Sequence, residues 1–407
     1  MLIDRPLYLD RLIAWKDKHL VKIITGVRRS GKSTLFKIYQ NYLLSSGVQP
    51  EQIINLNMED PEYTELLDWQ KLYRKINSRL LPDKKNYIFL DEIQNVKDFQ
   101  RAADGLFIKE NVDLYLTGSN SKFQSGEWAT LLAGRYLELH ILPLSFKEYI
   151  SVTGRENLPQ KFTAYLENSS FPQSLEFTEK QDIKNYLQGI YNTIVLKDVM
   201  ENKQIKNAGR LERVIKFMAD NIGNISSIKK ITDTLTAAGT EKIYAPLVEN
   251  YLDAFCDSYI LYKLNRYDIK GKNLLKTLDK YYLVDLGLRY FLLGNQPADR
   301  GRLLENIVYL ELRRRGYKTY VGKVNIFVPE TGKVKTTEVD FVAEGVNETQ
   351  YYQVADSVTD KKTLQRELRS LEAIPDHNPK ILLTMDFWPP TSHNGIKQVN
   401  ILDWLLD

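Results

Sequence analysis

The 407-residue sequence is poor in the groups that build cross-links and zinc sites: it has one cysteine, Cys256, and four histidines. A single cysteine excludes an intramolecular disulfide and fits a reducing compartment, with Cys256 expected as a small buried residue. His19, His140, His377 and His393 lie far apart in the chain. Together with one thiol they offer no structural zinc pattern. The chain also lacks any apolar run of about 18 residues, so no segment is expected to span a membrane as a helix. Charges in Met1-Leu-Ile-Asp-Arg5 fall where a signal peptide needs an apolar stretch, which predicts a cytoplasmic protein. Net charge is scarce too, with 56 Lys and Arg against 52 Asp and Glu.

What is present describes an ordinary globular protein, 43% apolar and 27% charged. At roughly 150 residues per domain the length predicts two or three domains. The charge is unevenly spread. Residues 201–335 hold 24 Lys and Arg against 15 Asp and Glu, or +9, and the remainder carries −5. A basic middle between acidic ends allows a localised anionic partner such as nucleic acid, although a solvated surface gives the same count.

Residues 21–150 alternate strand and helix patterns, which predicts a parallel α/β sheet. The β-branched run Val21-Lys-Ile-Ile-Thr25 leads into Gly26-Val27-Arg28-Arg29-Ser30-Gly31-Lys32-Ser33-Thr34, and a helical pattern follows. This is G-x-x-x-x-G-K-[ST] between a strand and a helix, the phosphate-binding loop. The two glycines let backbone N–H groups curl around phosphates at a helix N-terminus. Lys32 reaches the β- and γ-phosphate oxygens, and Ser33 offers its hydroxyl to Mg2+. Tyr87-Ile-Phe-Leu90 then ends in Asp91 and Glu92. In that setting Asp91 joins the Mg2+ shell and Glu92 polarises the attacking water. A further strand, Val112 to Thr117, ends in Gly118-Ser119-Asn120, where a polar side chain either senses the γ-phosphate or caps a helix.

The stretches Gly26 to Thr34, Asp91-Glu92, Leu116 to Asn120, Gly134-Arg135 and Pro143 to Glu148 together resemble the prokaryotic AAA+ ATPases close to the STAND group. The resemblance implies an α/β fold with sheet order 5-1-4-3-2, ATP and Mg2+ as ligands, and Ser119 or Asn120 as sensor. Arg135 becomes the arginine-finger candidate, in cis or across a subunit boundary of an oligomer, with a plain salt bridge as the alternative.

Residues 151–205 carry three- and four-residue apolar spacing, over Phe162 to Asn168 and Lys184 to Val199, and form the lid in this picture. From 206 to 295 the pattern is three helices and a hairpin: Leu211 to Ile222, Ile228 to Leu235 capped by Ser226, Glu241 to Phe255, and extended pieces around Asp268 to Lys272. That order is a winged helix. Lys229, Lys230 and Lys242 on the helices, and Lys263, Arg266, Lys270 and Lys272 on the hairpin, are the candidate DNA contacts. A protein-binding module or a solvated lid fits the same residues. Tyr281 to Leu293 closes the domain as a packing segment.

Residues 296–407 run helix, three strands, helix, strand, with Glu305 on the first helix and Asp340 in a strand. This is similar to the PD-(D/E)xK nucleases, and the resemblance puts Glu305, Asp340 and Gln353 at a metal site. The lysine expected two residues beyond Gln353 is Ala355, which can neither donate a proton nor stabilise a developing charge. Lys333 or Lys335 is the nearest candidate to replace it. The expected protein is an AAA+ ATPase with a winged helix and a catalytically silent nuclease-like domain that binds a partner. An ATP-gated nuclease and a STAND-like non-motor switch are the alternatives.

Overall fold

The computed structural model describes residues 2–119, 134–201, 205, 207–238, 243–294, 296–297, 299–328, 332–387 and 389–407. Asn120 and Lys242 lie outside these residues. The chain forms two compact units. The first comprises Met1–Pro143 with Phe171–Gln173 and Asp257–Tyr259, and the second holds Leu144–Ser170, Ser174–Cys256 and Ile260–Asp407.

In the first unit, α1 (Pro6–Ala14) precedes β1 (Val21–Thr25), α2 (Lys32–Ser45), β2 (Ile53–Asn57), α3 (Trp69–Asn77), β3 (Asn86–Asp91), α4 (Phe99–Phe107), β4 (Val112–Gly118) and β5 (Tyr136–His140). All five strands are parallel in the order β2-β3-β4-β1-β5, the expected order read from the other edge. Strands covered on both faces need apolar side chains at successive positions, which explains the runs Tyr87 to Leu90 in β3 and Leu114 to Leu116 in β4. Alternate residues then serve opposite layers. Ile54, Leu56, Ile88, Leu90, Leu114 and Leu116 pack with Leu72 and Ile76 of α3 and with Ala102, Ala103 and Leu106 of α4. Ile24, Tyr87, Phe89 and Tyr115 pack with Tyr8 and Leu12 of α1 and with Leu35, Phe36 and Tyr39 of α2. One buried charge interrupts β1. Lys22 is ion-paired and hydrogen-bonded to Asp113 on β4, and burial lowers the pKa of its ammonium.

The second unit opens with α5 (Phe146–Thr153) and α6 (Leu158–Asn168). The Pro143 to Glu148 motif has a local physical reading: Ser145 is the N-cap of α5, its Oγ accepting from Glu148 N (3.0 Å) while Glu148 Oε2 accepts from Ser145 N (2.7 Å). Next come α7 (Lys180–Asn192), which runs on as a π-helix over Thr193–Glu201, and then α8 (Ala208–Asp220), α9 (Ile228–Ala237) and α10 (Ala245–Asp257). The cap of α9 is Ser227, whose Oγ accepts from Lys230 N at 3.1 Å, and not Ser226 as expected. Ser226 instead forms an isolated antiparallel bridge with Asp279. Ser227→Ala is therefore expected to lower the unfolding midpoint by the equivalent of about 1 kcal/mol. Chemical denaturation of Ser226→Ala alongside it checks the assignment, since that variant leaves the cap intact.

The expected hairpin exists, as β6 (Leu261–Asp268) and β7 (Asn273–Leu283), but it is not confined to a separate winged helix. Arg266 to Asp268 pair in parallel with Val321 to Lys323 of β8 (Lys318–Val328), so β6 and β7 extend the C-terminal sheet. That sheet also holds β9 (Lys333–Glu344), β10 (Thr349–Val354), β11 (Lys380–Thr384), β12 (Thr391–His393) and β13 (Ile396–Asn400). Its order is β12-β13-β11-β10-β9-β8-β6-β7, so residues 206–295 and 296–407 share one sheet. The packing segment after β7 is α11 (Leu286–Leu293), capped by buried Asp285, which also accepts from Ser170 N (2.6 Å) and Ser170 Oγ (2.7 Å). Then α12 (Arg300–Arg314), α13 (Lys361–Glu372) and α14 (Ile401–Leu406) complete the unit.

Candidate nucleotide site

The phosphate-binding loop leaves β1 at Thr25 and returns as α2 at Lys32. Three residues in it take positive φ: Gly26 (145°), Arg29 (66°) and Gly31 (99°). Gly26 is required sterically as well, because a Cβ there would stand 2.2 Å from Ile141 O, a backbone atom that cannot yield. Val27 and Ser30 are buried, whereas Arg29 and Ser33 face solvent and Thr34 is half-buried. Arg28 pairs with Glu59 at 2.8 Å. Lys32 is buried and folds back over the loop, its Nζ donating to Gly26 O (3.1 Å) and Val27 O (3.3 Å).

The carboxylates at the end of β3 meet this loop. The Thr117 hydroxyl donates to Asp91. Burial pushes the Asp91 carboxyl above its ordinary range, against the pull of the nearby Ser33 and Thr117 hydroxyls. Glu92 sits in the left-handed region (φ 50°) and its N–H donates to Thr117 Oγ1 at 2.8 Å. Its carboxylate lies 3.5 Å from Lys32 Nζ and accepts from Gln94 Nε2 (2.5 Å) and Ser119 Oγ (3.1 Å). Burial works against ionisation here, but Lys32, Gln94 and Arg28 outweigh it and hold Glu92 below the usual carboxylate range. Ser119 is therefore at the site, bound to Glu92.

Arg135 is not brought there. Val21 N donates to Arg135 O at 2.9 Å, so Arg135 stands where β1 begins and the phosphate-binding loop where β1 ends. A five-residue strand is about 17 Å long, beyond the reach of an arginine side chain, so a cis finger role does not fit. The guanidinium lies over the Phe107 ring at 5.6 Å.

Arg5 was not foreseen. It is buried before α1 and donates to Ser30 O (3.0 Å) and Leu142 O (2.9 Å), which ties the loop to the segment after β5. An arginine beside Asp4 and Pro6 at a chain start carries no pattern that separates it from a solvated residue.

Comparison with known proteins agrees with this geometry. Residues 18–150 match the family model described as an AAA domain, and residues 159–299 match a domain of unknown function (DUF8612). An uncharacterized protein of Haemophilus influenzae is 38% identical, covering 100% of this chain and 99% of its own. An uncharacterized protein of Methanocaldococcus jannaschii is 33% identical, covering 88% of this chain and 79% of its own. The chain belongs to this family of AAA-domain proteins. Among solved structures, a Walker-type ATPase of Pyrococcus abyssi aligns with a TM-score of 0.48 at 16% identity, covering 71% of this chain and 95% of that one. Among the described residues of this AAA-domain protein, no helix is long and apolar enough to cross a membrane.

The C-terminal sheet of this AAA-domain family member gathers a second charged cluster, with a member the sequence did not reveal. Glu305 on α12, Asp340 on β9 and Gln353 on β10 do converge, but Lys280 of β7 lies between the carboxylates. Its Nζ is 2.6 Å from Glu305 Oε1 and 3.6 Å from Asp340 Oδ1. Tyr282, two residues along the same strand face, donates to Glu305 Oε1 at 2.5 Å. Gln353 is fully engaged: Nε2 donates to Glu367 (2.8 Å), and Oε1 accepts from Ser370 Oγ (3.1 Å) and Asp340 N (3.4 Å). Burial disfavours the Lys280 ammonium, but Glu305 and Asp340 together raise its pKa above the lysine value. Burial and Glu305 push Asp340 up to about 7.

This arrangement does not fit the divalent cation implied by a nuclease-like fold, because the Lys280 ammonium already occupies the place between the two carboxylates. Among the described residues no group of three or more His, Cys, Asp or Glu side chains could hold a metal. Ala355 is buried, its N–H donating to Leu383 O. Lys333 and Lys335 are exposed, and Asp340 lies five residues farther along β9, so neither lysine enters the cluster.

The basic residues of the hairpin divide as well. Arg266 is buried and 3.6 Å from Glu338, and Lys263 is paired with Asp279 at 3.0 Å. Lys270 and Lys272 are exposed at the turn, and Lys229 and Lys230 are exposed on the first turn of α9.

Proposed function

We propose that this protein binds and hydrolyses ATP, with Mg2+, and couples the nucleotide cycle to a nucleic-acid-binding surface in its second unit. The observation that carries the reading is the convergence of Lys32, Ser33, Asp91 and Glu92 on one loop. Ser33 and Asp91 would hold Mg2+, which neutralises charge on the β- and γ-phosphates. The backbone of Gly26 to Gly31 cradles the phosphates, and Lys32 exchanges its loop carbonyls and Glu92 for phosphate oxygens. Freed from Lys32, Glu92 takes a proton from water. The water oxygen bonds to the γ-phosphorus as the bond to the bridging oxygen breaks, and ADP and phosphate leave. The proton rests on Glu92 until release. Ser119 serves this step through Glu92. Arg135, remote from the loop of its own chain, suits a finger role only between subunits of an oligomer. If so, mixing Arg135→Ala with Glu92→Gln subunits restores part of the activity.

Helices α8, α9 and α10, the Ser226–Asp279 bridge and the β6–β7 hairpin follow each other in winged-helix order, which supports a DNA-contacting role. The exposed Lys229, Lys230, Lys270 and Lys272 are the phosphate contacts in this reading, replacing the paired Arg266 and Lys263. Neutralising all four is expected to flatten the salt dependence of DNA binding, with the log–log slope falling by roughly 3 to 4. Fluorescence anisotropy of labelled duplex across a salt series measures it, and an unchanged slope removes the surface from the reading. The Lys280 cluster supports a catalytically silent C-terminal domain that serves binding of a nucleic-acid or protein partner. Metal-dependent DNA cleavage lost in Asp340→Ala would instead establish the nuclease alternative.

A further inference from the structure

The short 3-10 turn Ile93–Asn95 carries Gln94 back over the residue before it. Its amide is used at one end only. Nε2 donates to Glu92 Oε2 at 2.5 Å and lies 3.4 Å from Ser119 Oγ. Oε1 is buried and accepts no hydrogen bond. Buried acceptors are nearly always satisfied, because leaving one empty forfeits its hydration without return. An empty acceptor next to the carboxylate that receives a proton calls for a small ligand with hydrogens to give. Water has that chemistry.

We propose that Gln94 sets the lytic water and orients Glu92 for attack on the γ-phosphate, an inference that rests on the ATPase reading above. A water between the two side chains donates one hydrogen to Gln94 Oε1 and the other to the Glu92 carboxylate. A lone pair of its oxygen is then free for the γ-phosphorus. As the new oxygen–phosphorus bond forms, the bond from the γ-phosphorus to the bridging oxygen breaks and ADP keeps that electron pair. Glu92 takes the first proton, and Gln94 holds the second hydrogen on the nascent phosphate without exchanging it. The Nε2 donor has a separate effect: its hydrogen bond holds the Glu92 carboxylate in one orientation. Gln94 thus fixes the base and aligns the water, two tasks that one amide performs with its two ends.

The test compares wild type, Gln94→Ala, Gln94→Glu and Lys32→Ala in steady-state and single-turnover ATP hydrolysis, with ATP binding followed by calorimetry. Gln94→Ala is expected to lower kcat by about 10- to 100-fold while the KM for ATP stays within about twofold. The single-turnover rate falls by the same factor, because the loss lies in the chemical step. Gln94→Glu keeps an acceptor for the water but loses the donor to Glu92, so its kcat falls as well. Unchanged kcat in Gln94→Ala, or a fall of kcat matched by an equal weakening of ATP binding, overturns the inference and leaves the ATPase reading standing. A wild type that turns over no ATP, with Lys32→Ala binding ATP equally well, overturns both.

Discussion

Lys32→Ala is expected to weaken ATP binding by at least about 100-fold, whereas Glu92→Gln is expected to bind ATP and lose turnover by about 100- to 10,000-fold. The two variants separate because the side chains meet different charges. Lys32 is a buried cation whose Nζ is held by two loop carbonyls and by Glu92, so in its present contacts it faces the phosphate site. Removing it deletes positive charge where phosphate must bind and leaves Glu92 buried without its strongest counter-charge. Glu92→Gln keeps the shape and the contacts of the side chain. The amide cannot take a proton from water, so binding survives and hydrolysis does not. The pH dependence carries the same sign. Lys32, Gln94 and Arg28 hold Glu92 below the ordinary carboxylate range, so it stays ionised from neutral pH down through the usual carboxylate titration. The wild-type kcat/KM, which reports the free enzyme, should therefore be flat over that window and fall only in stronger acid. Calorimetry with ATP and steady-state phosphate release read both effects, and near-normal turnover by either variant would falsify the site.

How far the sequence could be read depended on how local the causes were. The phosphate-binding loop was legible because a strand, a glycine turn and a helix N-terminus follow each other within one short stretch. Asp91 and Glu92 were legible because a buried strand ending in two acids is contiguous. The sheet order came with the family resemblance, and the apolar run of β3 agrees with it. Arg135 shows the limit. Its neighbours in sequence suggested a finger, and only the pairing of β5 with β1 places it at the opposite end of the strands. The hairpin's place in the larger sheet was hidden for the same reason. Its turn chemistry was plain, yet nothing local records that Arg266 pairs with Val321 across more than 50 residues. With that pairing unknown, Lys280 read as one more basic residue on a hairpin. The period-two alternation that sets Lys280 and Tyr282 on one face was present, but the face has meaning only once Glu305 and Asp340 are opposite.

Lys280→Met is accordingly expected to cost about 3–5 kcal/mol at pH 8, because it leaves two buried carboxylates without their cation. The contacts argue for that size. Lys280 is buried, bonded to Glu305 at 2.6 Å and within 3.6 Å of Asp340, and salt screens such a pair weakly. Replacing Glu305 and Asp340 by Gln and Asn in the same protein should recover most of the loss, since a neutral cluster of similar volume has no charge left unpaired. The pH dependence follows from the carboxyls. Burial and Glu305 already raise Asp340 to about 7 in the folded protein, and losing Lys280 raises it further. A carboxyl whose folded pKa is raised binds protons more readily folded than unfolded, so it stabilises as pH falls from that pKa toward the unfolded value near 4. Below that value the effect is complete, and it is gone above the folded pKa. The gap between Lys280→Met and wild type should therefore narrow steadily from pH 8 to pH 5 in urea unfolding. A gap under about 1 kcal/mol at pH 8, or one that ignores pH, would mean that the ammonium is not what neutralises this cluster. The place between Glu305 and Asp340 would then be open to a divalent cation after all.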